Sequence, residues 1–235
     1  MYQYYKIAGL TVKMDTFGRT LSMAGPYRID SYPEVDVIIK ADWQSWQKKH
    51  PYMMKDPCEY LASGKEFYLS LIAFDGMMFH ASAIAIDGKA YLFTADPGKG
   101  KSTHTGLWRR AFGDERVRVI NDDKPAVRLE DGVWYAYGTP WSGKYGLNLN
   151  LRYPIGGICF LEQAKENKIE KYEKNDLFFQ ILKQTYQPAD REGKKKLLSN
   201  IGSLLEKVPI WRLECNMELE AAILSHRAMT EYTEV

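Results

Sequence analysis

The residues best suited to chemistry are Ala95-Asp96-Pro97-Gly98-Lys99-Gly100-Lys101-Ser102-Thr103. Gly100, Lys101 and Ser102 match the last three positions of the phosphate-binding pattern G-x-x-x-x-G-K-[ST]. Gly98 and Gly100 let the backbone turn so that successive N–H groups point at an anion. Lys101 can reach the β- and γ-phosphates of a nucleotide, and the Ser102 hydroxyl can take a place on Mg²⁺. A helix starting here adds its positive N-terminal end. The first glycine of the pattern is replaced by Ala95, so the chain must enter the loop through a conformation that alanine tolerates. The bland alternative is a lysine-rich surface turn. Against it, an apolar strand precedes the loop and a helical pattern follows.

A second group of candidates is acidic. Asn121-Asp122-Asp123 closes a short apolar strand, and Asp122 comes 21 positions after Lys101. A strand–loop–helix–strand unit of that length places the pair at the carboxyl end of a neighbouring strand, beside the loop. One carboxylate can then hold Mg²⁺ and the other can take a proton from an attacking hydroxyl. An Asx turn after a strand would use the same residues without a ligand. His80 is expected opposite the loop end of its partner strand, where it can hydrogen-bond an aspartate. Its other reading is a satisfied histidine at a sheet end. No metal-ligand spacing links the histidines and cysteines.

These groups need strands and helices to hold them. Strands are expected over 6–14, 27–30 and 35–40, the last two broken by Pro33. A helix is expected over 56–74. An apolar strand over 77–86, a tight turn at Asp87-Gly88 and a strand over 89–94 lead into the loop. A helix over 102–112 stops at Gly113, and a strand over 117–120 runs into the acidic pair. Strands 126–129 and 133–137 flank Asp131-Gly132. A buried strand over 158–161 follows Gly156-Gly157. The last third reads as helices over 175–185, 192–207 and 217–229, with a strand over 209–213. The fold class is therefore mixed α/β, a phosphate-loop core of strands with C-terminal helices. Residues 1–76 are expected as a strand and helix segment packed on a core of 77–235, in one compact domain.

Composition narrows the function classes. The chain has 235 residues, enough for one buried core. With a formal net charge of +2, a nucleic-acid partner is not favoured. No apolar run approaches the roughly 18 residues of a membrane span. No signal-peptide pattern opens the chain. Cys58, Cys159 and Cys215 are far apart and odd in number, which suits small buried hydrophobes in a reducing cytoplasm. A cytoplasmic protein without membrane partner is expected, with a homo-oligomer left open.

Taken together, His80-Ala81-Ser82-Ala83, the loop 95–103, the Asp122-Asp123 pair and Gly138-Thr139-Pro140-Trp141-Ser142-Gly143-Lys144 resemble the catalytic domain of HPr kinase/phosphorylase. That domain shares its phosphate-loop core with ATP-dependent phosphoenolpyruvate carboxykinase. The resemblance covers 77–161, the central third. It implies an ATP kinase acting on a hydroxyl, with one aspartate as base, His80 supporting it, and Mg²⁺ on Ser102 and the acidic pair. Which aspartate has which role stays open. The chain departs from the full-length enzyme, which carries a larger N-terminal domain. The segment that holds the HPr protein is not recognised, so HPr is not expected as substrate, and the chain is closer to short free-standing relatives.

The acceptor is sought in 138–150, which is rich in turn formers and polar groups beside an aromatic face. Trp141, Ser142, Lys144, Asn148 and Arg152 are the candidates. Lys144 or Arg152 would balance phosphate charge in the transition state. The other reading is an exposed loop. The expected function is an ATP- and Mg²⁺-dependent kinase for a small hydroxyl compound, such as a polyol, a cyclitol or a sugar. The alternatives are a serine kinase for peptides or proteins, and a nucleotide-binding regulator that transfers nothing. The expected catalytic residues are Asp122, Asp123, His80 and Lys101, with nucleotide on Asp96, Pro97, Gly98, Lys99, Gly100, Lys101, Ser102 and Thr103.

Overall fold

A computed structural model describes residues 2–30, 34–173 and 176–231. In chain order, β1 (Gln3–Ile7) and β2 (Leu10–Met14) form a hairpin, followed by α1 (Gly18–Ala24), β3 (Val37–Ile39), α2 (Trp43–Lys49) and α3 (Lys55–Leu71). Then come β4 (Gly76–Met78), β5 (Ser82–Ile86), β6 (Lys89–Thr94), α4 (Lys101–Phe112) and β7 (Arg118–Asn121). β8 (Ala126–Glu130), β9 (Val133–Tyr137), β10 (Arg152–Gln163) and β11 (Lys168–Lys171) precede α5 (Leu177–Lys183), α6 (Arg191–Lys207), β12 (Ile210–Cys215) and α7 (Leu219–Thr230).

Two sheets result. β1, β2 and β3 make a small one, with β3 parallel to β2. The large sheet runs β4-β8-β9-β10-β6-β5-β7, and β12 and β11 add on beside β10. β10 makes the switch between its two halves. Residues 152–154 pair antiparallel with β9, and from 155 onward the strand pairs parallel with β6. The register slips between Ile155 and Gly157. A side chain at Gly156 would come within 2.9 Å of the Tyr91 ring, so the double glycine marks a close approach rather than a loop.

The continuous apolar runs of β5, β6 and β10 are explained by helices on both faces. Ala83, Ala85, Leu92 and Ile158 join Leu197, Ile201 and Leu204 of α6 in one core. Their alternate neighbours Ile84, Phe93 and Cys159 join Leu107 and Trp108 of α4 and Ala222 and Met229 of α7 in another. Period-two alternation thus feeds two cores at once. A third core joins the small sheet and α3 to Met78, Ala126, Tyr137 and Trp141 of the large sheet's segment.

Several expectations are corrected. The strand expected over 6–14 is a hairpin, because Ala8 and Gly9 take left-handed conformations and reverse the chain. Residues 27–30 hold a 3₁₀ turn ending at Tyr27 and one isolated bridge at Arg28. The apolar stretch 77–86 splits into β4, which pairs with β8, and β5, which pairs with β6 and β7. Apolarity alone does not show a chain leaving one strand pair for another. β11, α1 and α2 carried no clear sequence signal. Pro33 and Asn175, which were to break a strand and open a helix, lie outside the described residues. No helix among the described residues is long and apolar enough to cross a membrane.

Candidate active site

Three strand ends meet at one edge of the large sheet. β6 ends at Thr94 and β7 ends at Asn121, pointing the same way, with antiparallel β5 between them. The strand that carries the acidic pair is therefore one removed from β6 rather than adjacent. β5 begins at this same edge with Ser82, so His80, two residues ahead of it, stands there too. The Thr94 hydroxyl donates to the His80 carbonyl at 2.9 Å, which ties the two chains there. His80 itself precedes β5 rather than lying within it.

The glycine-rich loop closes on itself. Gly98 and Gly100 have φ of +79° and +102°, the left-handed region open to glycine. Ala95 is not among the described residues with such backbone, so the position lacking the pattern's first glycine carries no strain of that kind. The Lys99 amide donates to the Asp96 carbonyl at 3.1 Å, and the Lys101 ammonium donates to the Ala95 carbonyl at 3.0 Å. Burial pushes the Lys101 ammonium below its ordinary pKa, while Asp123 and Asp96 pull it back up.

Across a cleft of about 410 Å³ stands the acidic pair. His80 Nε2 lies 3.2 Å from Asp123 Oδ1, and His80 Nδ1 lies 3.2 Å from Gln184 Oε1. Lys124 Nζ pairs with the other oxygen of Asp123. Burial pushes the Asp123 carboxyl upward, but the His80 bond and the Lys124 charge outweigh it and hold it well below the carboxylate range. Asp122 is the opposite case. Burial raises its pKa, the charge of Asp123 adds to that, and the Gly143 N–H, donating to Oδ1 at 2.6 Å, resists it. Two adjacent carboxyls are thus pushed apart in proton affinity, the pattern by which one environment makes an ion and another makes a base.

The turn that carries them is itself anchored. Asn121 is fully buried, and its Oδ1 accepts from the amides of Asp123 and Lys124. Its Nδ2 donates to the Thr139 and Trp141 carbonyls at 3.3 and 3.0 Å. This is the Asx turn foreseen as the bland alternative, and it coexists with a cleft-facing pair.

Of the expected nucleotide residues, Pro97, Gly98, Gly100, Lys101, Ser102 and Thr103 line the cleft, whereas Asp96 and Lys99 lie outside it. His80, Asp122 and Asp123 line it too. The acceptor candidates divide. Lys144 lines the cleft. Trp141 does not: it is buried, stacked on Phe67 at 5.0 Å, and donates to Ser63 Oγ at 3.0 Å. Ser142 is buried behind the cleft wall, where its Oγ accepts from Asn148. Asn148 lines a different cavity and accepts from the Tyr27 hydroxyl at 2.9 Å. Arg152 pairs with Glu130 and donates to the Tyr137 hydroxyl, away from the cleft. A turn-rich polar sequence does not show which of its side chains the packing turns inward. Tyr145, one of the polar groups of the 138–150 segment, lines the cleft as well, and so does Gly143. Gly143 carried a signal only as part of the segment that bore the resemblance.

The donor set fits Mg²⁺ arriving with nucleotide. Ser102, Asp122 and Asp123 offer hard oxygens in one cleft, and Mg²⁺ in nucleotide sites usually needs only one or two carboxylates beside the phosphates. Among the described residues there is no preformed cluster of three or more metal-binding side chains.

Compared with known proteins, the chain matches no family model and no curated protein. Among solved structures it is similar to the HPr(Ser) kinase/phosphatase from Coxiella burnetii, at 14% identity and a TM-score of 0.36. The match covers 66% of this chain and 92% of that one. This is a remote likeness of fold.

Proposed function

We propose that this chain is an ATP- and Mg²⁺-dependent kinase that transfers the γ-phosphate to a hydroxyl of a small molecule, such as a polyol, a cyclitol or a sugar. One observation carries the reading: the glycine-rich loop and first turn of α4 share a cleft with the adjacent carboxylates of Asp122 and Asp123. The loop and the first-turn amides of α4 suit phosphate oxygens. Lys101 contributes charge where the β- and γ-phosphates would lie. Mg²⁺, when bound, neutralises developing charge on the transferred group.

The chain's own residues then divide the work. Asp123, held ionised by His80 and Lys124, suits the metal side, with Ser102 opposite. Asp122 has the raised proton affinity that a base needs, and the Gly143 amide orients it toward an acceptor hydroxyl. His80 serves the pair through Asp123 and Lys144 adds charge at the rim. The sequence resemblance to HPr kinase/phosphorylase points the same way.

A transfer screen with ATP and Mg²⁺ against pooled polyols, sugars and serine peptides tests this, reading ATP consumption. Turnover with a hydroxyl compound is expected. Turnover only with serine peptides would replace the acceptor class. Nucleotide binding without any acceptor-stimulated turnover would leave a regulator.

A further inference from the structure

The peptide that orients Asp122 is held from far away in the chain. Gly143 presents its N–H to Asp122 Oδ1 at 2.6 Å. A side chain at Gly143 would sit 2.9 Å from Asp122 Oδ2, so carboxylate and backbone are in close contact. On the other side of this peptide stand two residues of the N-terminal segment. The Tyr60 hydroxyl, on α3, accepts from the Ser142 N–H at 2.6 Å and donates to the Ser142 carbonyl at 2.9 Å. Arg19, on α1, donates to the Gly143 carbonyl at 2.6 Å and, more weakly, to the Ser142 carbonyl at 3.5 Å, and its guanidinium lies 4.2 Å from the centre of the Tyr60 ring. Asp56 accepts from the Arg19 backbone N–H at 2.7 Å, linking the start of α1 to α3.

We infer that Arg19 and Tyr60 are positioning residues: together they clamp the Ser142–Gly143 peptide, and through its amide they set where the Asp122 carboxylate stands. This rests on Asp122 acting as the base, as proposed above. Neither residue lines the cleft, so neither touches the reacting atoms. The clamp gives the N-terminal segment a role in catalysis without any substrate contact. A segment held by the Tyr60 hydroxyl and the Arg19 guanidinium, which lie together on the side away from Asp122, loses freedom that would otherwise misplace the base, and misplacements near 1 Å can cost as much as 10²-fold.

Tyr60→Phe and Arg19→Ala test it, with Arg19→Lys as the conservative rescue. Tyr60→Phe keeps the packed ring and removes the hydroxyl's two bonds to Ser142 along with a longer one to the Pro140 carbonyl. Expected are a fall in kcat of about tenfold in each variant, ATP affinity measured directly by calorimetry within about twofold of wild type, and partial recovery in Arg19→Lys. Hydrogen exchange at the Gly143 amide is expected to speed up about tenfold or more, with amides of β5 and β6 unchanged. Unchanged Gly143 exchange overturns the clamp. Faster exchange with kcat unchanged overturns its catalytic role. Parallel loss of ATP affinity and kcat also overturns it, since that is general loosening. If wild type itself transfers no phosphate, the kinase reading falls, and the exchange measurement alone still decides whether the clamp holds the peptide against Asp122.

Discussion

The two walls of the cleft are held in opposite ways. The glycine-rich wall, 95–103, is secured by its own neighbours: Asp96 with Lys99, Ala95 with Lys101, and Gly100 with His104. The facing wall, 138–150, is secured by residues distant in sequence. Tyr60, Ser63 and Tyr68 of α3, Arg19 of α1, Tyr27 and Asn121 all hold it. A self-contained loop can be altered at one residue with a local consequence. A loop suspended from four other elements transmits a change into the core.

The comparison is broken or sharpened most strongly at the acidic pair, which joins both walls. Asp122→Asn and Asp123→Asn are each expected to lower kcat by roughly 10²–10⁴-fold. A Mg²⁺ titration separates them, since only Asp123→Asn should raise the Mg²⁺ requirement. If both variants retained near-wild-type kcat, the pair would be a turn and nothing more.

Next come the walls themselves. Trp141→Ala removes a fully packed indole from the far wall and should cost about 3–5 kcal/mol of stability, measured by denaturant unfolding. Its mark is a lost fold rather than a raised KM for the acceptor, and a stable variant with a selective KM effect would reverse this view of Trp141. Lys101→Ala on the near wall removes a charged contact. It should weaken ATP binding by about 10–100-fold with little change in stability. Equal ATP affinity in this variant would remove the nucleotide from the loop.

A pH effect sharpens the contrast beneath the far wall. Glu59 is fully buried in α3, with Thr20 donating to it at 2.5 Å and no hydrogen-bond partner for Oε1. Burial pushes its carboxyl up to about 7, against the Thr20 bond and with help from Asp56. The folded value lies above the ordinary 4.5, so the fold binds this proton more tightly than the unfolded chain does. Its contribution is full below pH 4.5 and is lost as pH rises through about 7. The loss should be on the order of 3 kcal/mol or less. Unfolding of wild type and Glu59→Gln at pH 5 and pH 8 checks it, because the substitution should flatten that part of the slope. Parallel slopes would exclude Glu59 as its source.

Much of the near wall was legible. The turn at Asp87-Gly88, β6, the loop and α4 follow from local chemistry: left-handed glycines, an apolar strand of six residues and a glycine stop at Gly113. The acidic turn was legible as a turn through Asn121. His80 could be placed near the loop by counting back from the hairpin, because register in a tight hairpin is set locally. The far wall was not legible in the same way. Its composition suggested a pocket, but of the five acceptor candidates Trp141, Ser142, Asn148 and Arg152 are turned elsewhere, and Lys144 lines the cleft beside Gly143 and Tyr145.

What this sequence determined alone is therefore the set of groups whose arrangement depends on residues a few positions apart: the loop, the helix it opens, and the acidic turn. The apolar runs also marked the central strands as buried, and the structure shows that they are covered on both faces. Tertiary structure decided the rest. It inserted β5 between β6 and β7, so that His80 meets Asp123, and it brought α1 and α3 across to hold Gly143 against Asp122. Those contacts join residues 19 and 60 to residues 142 and 143. Their formation depends on how the small sheet, α3 and the large sheet share one apolar core, and no local pattern encodes that packing.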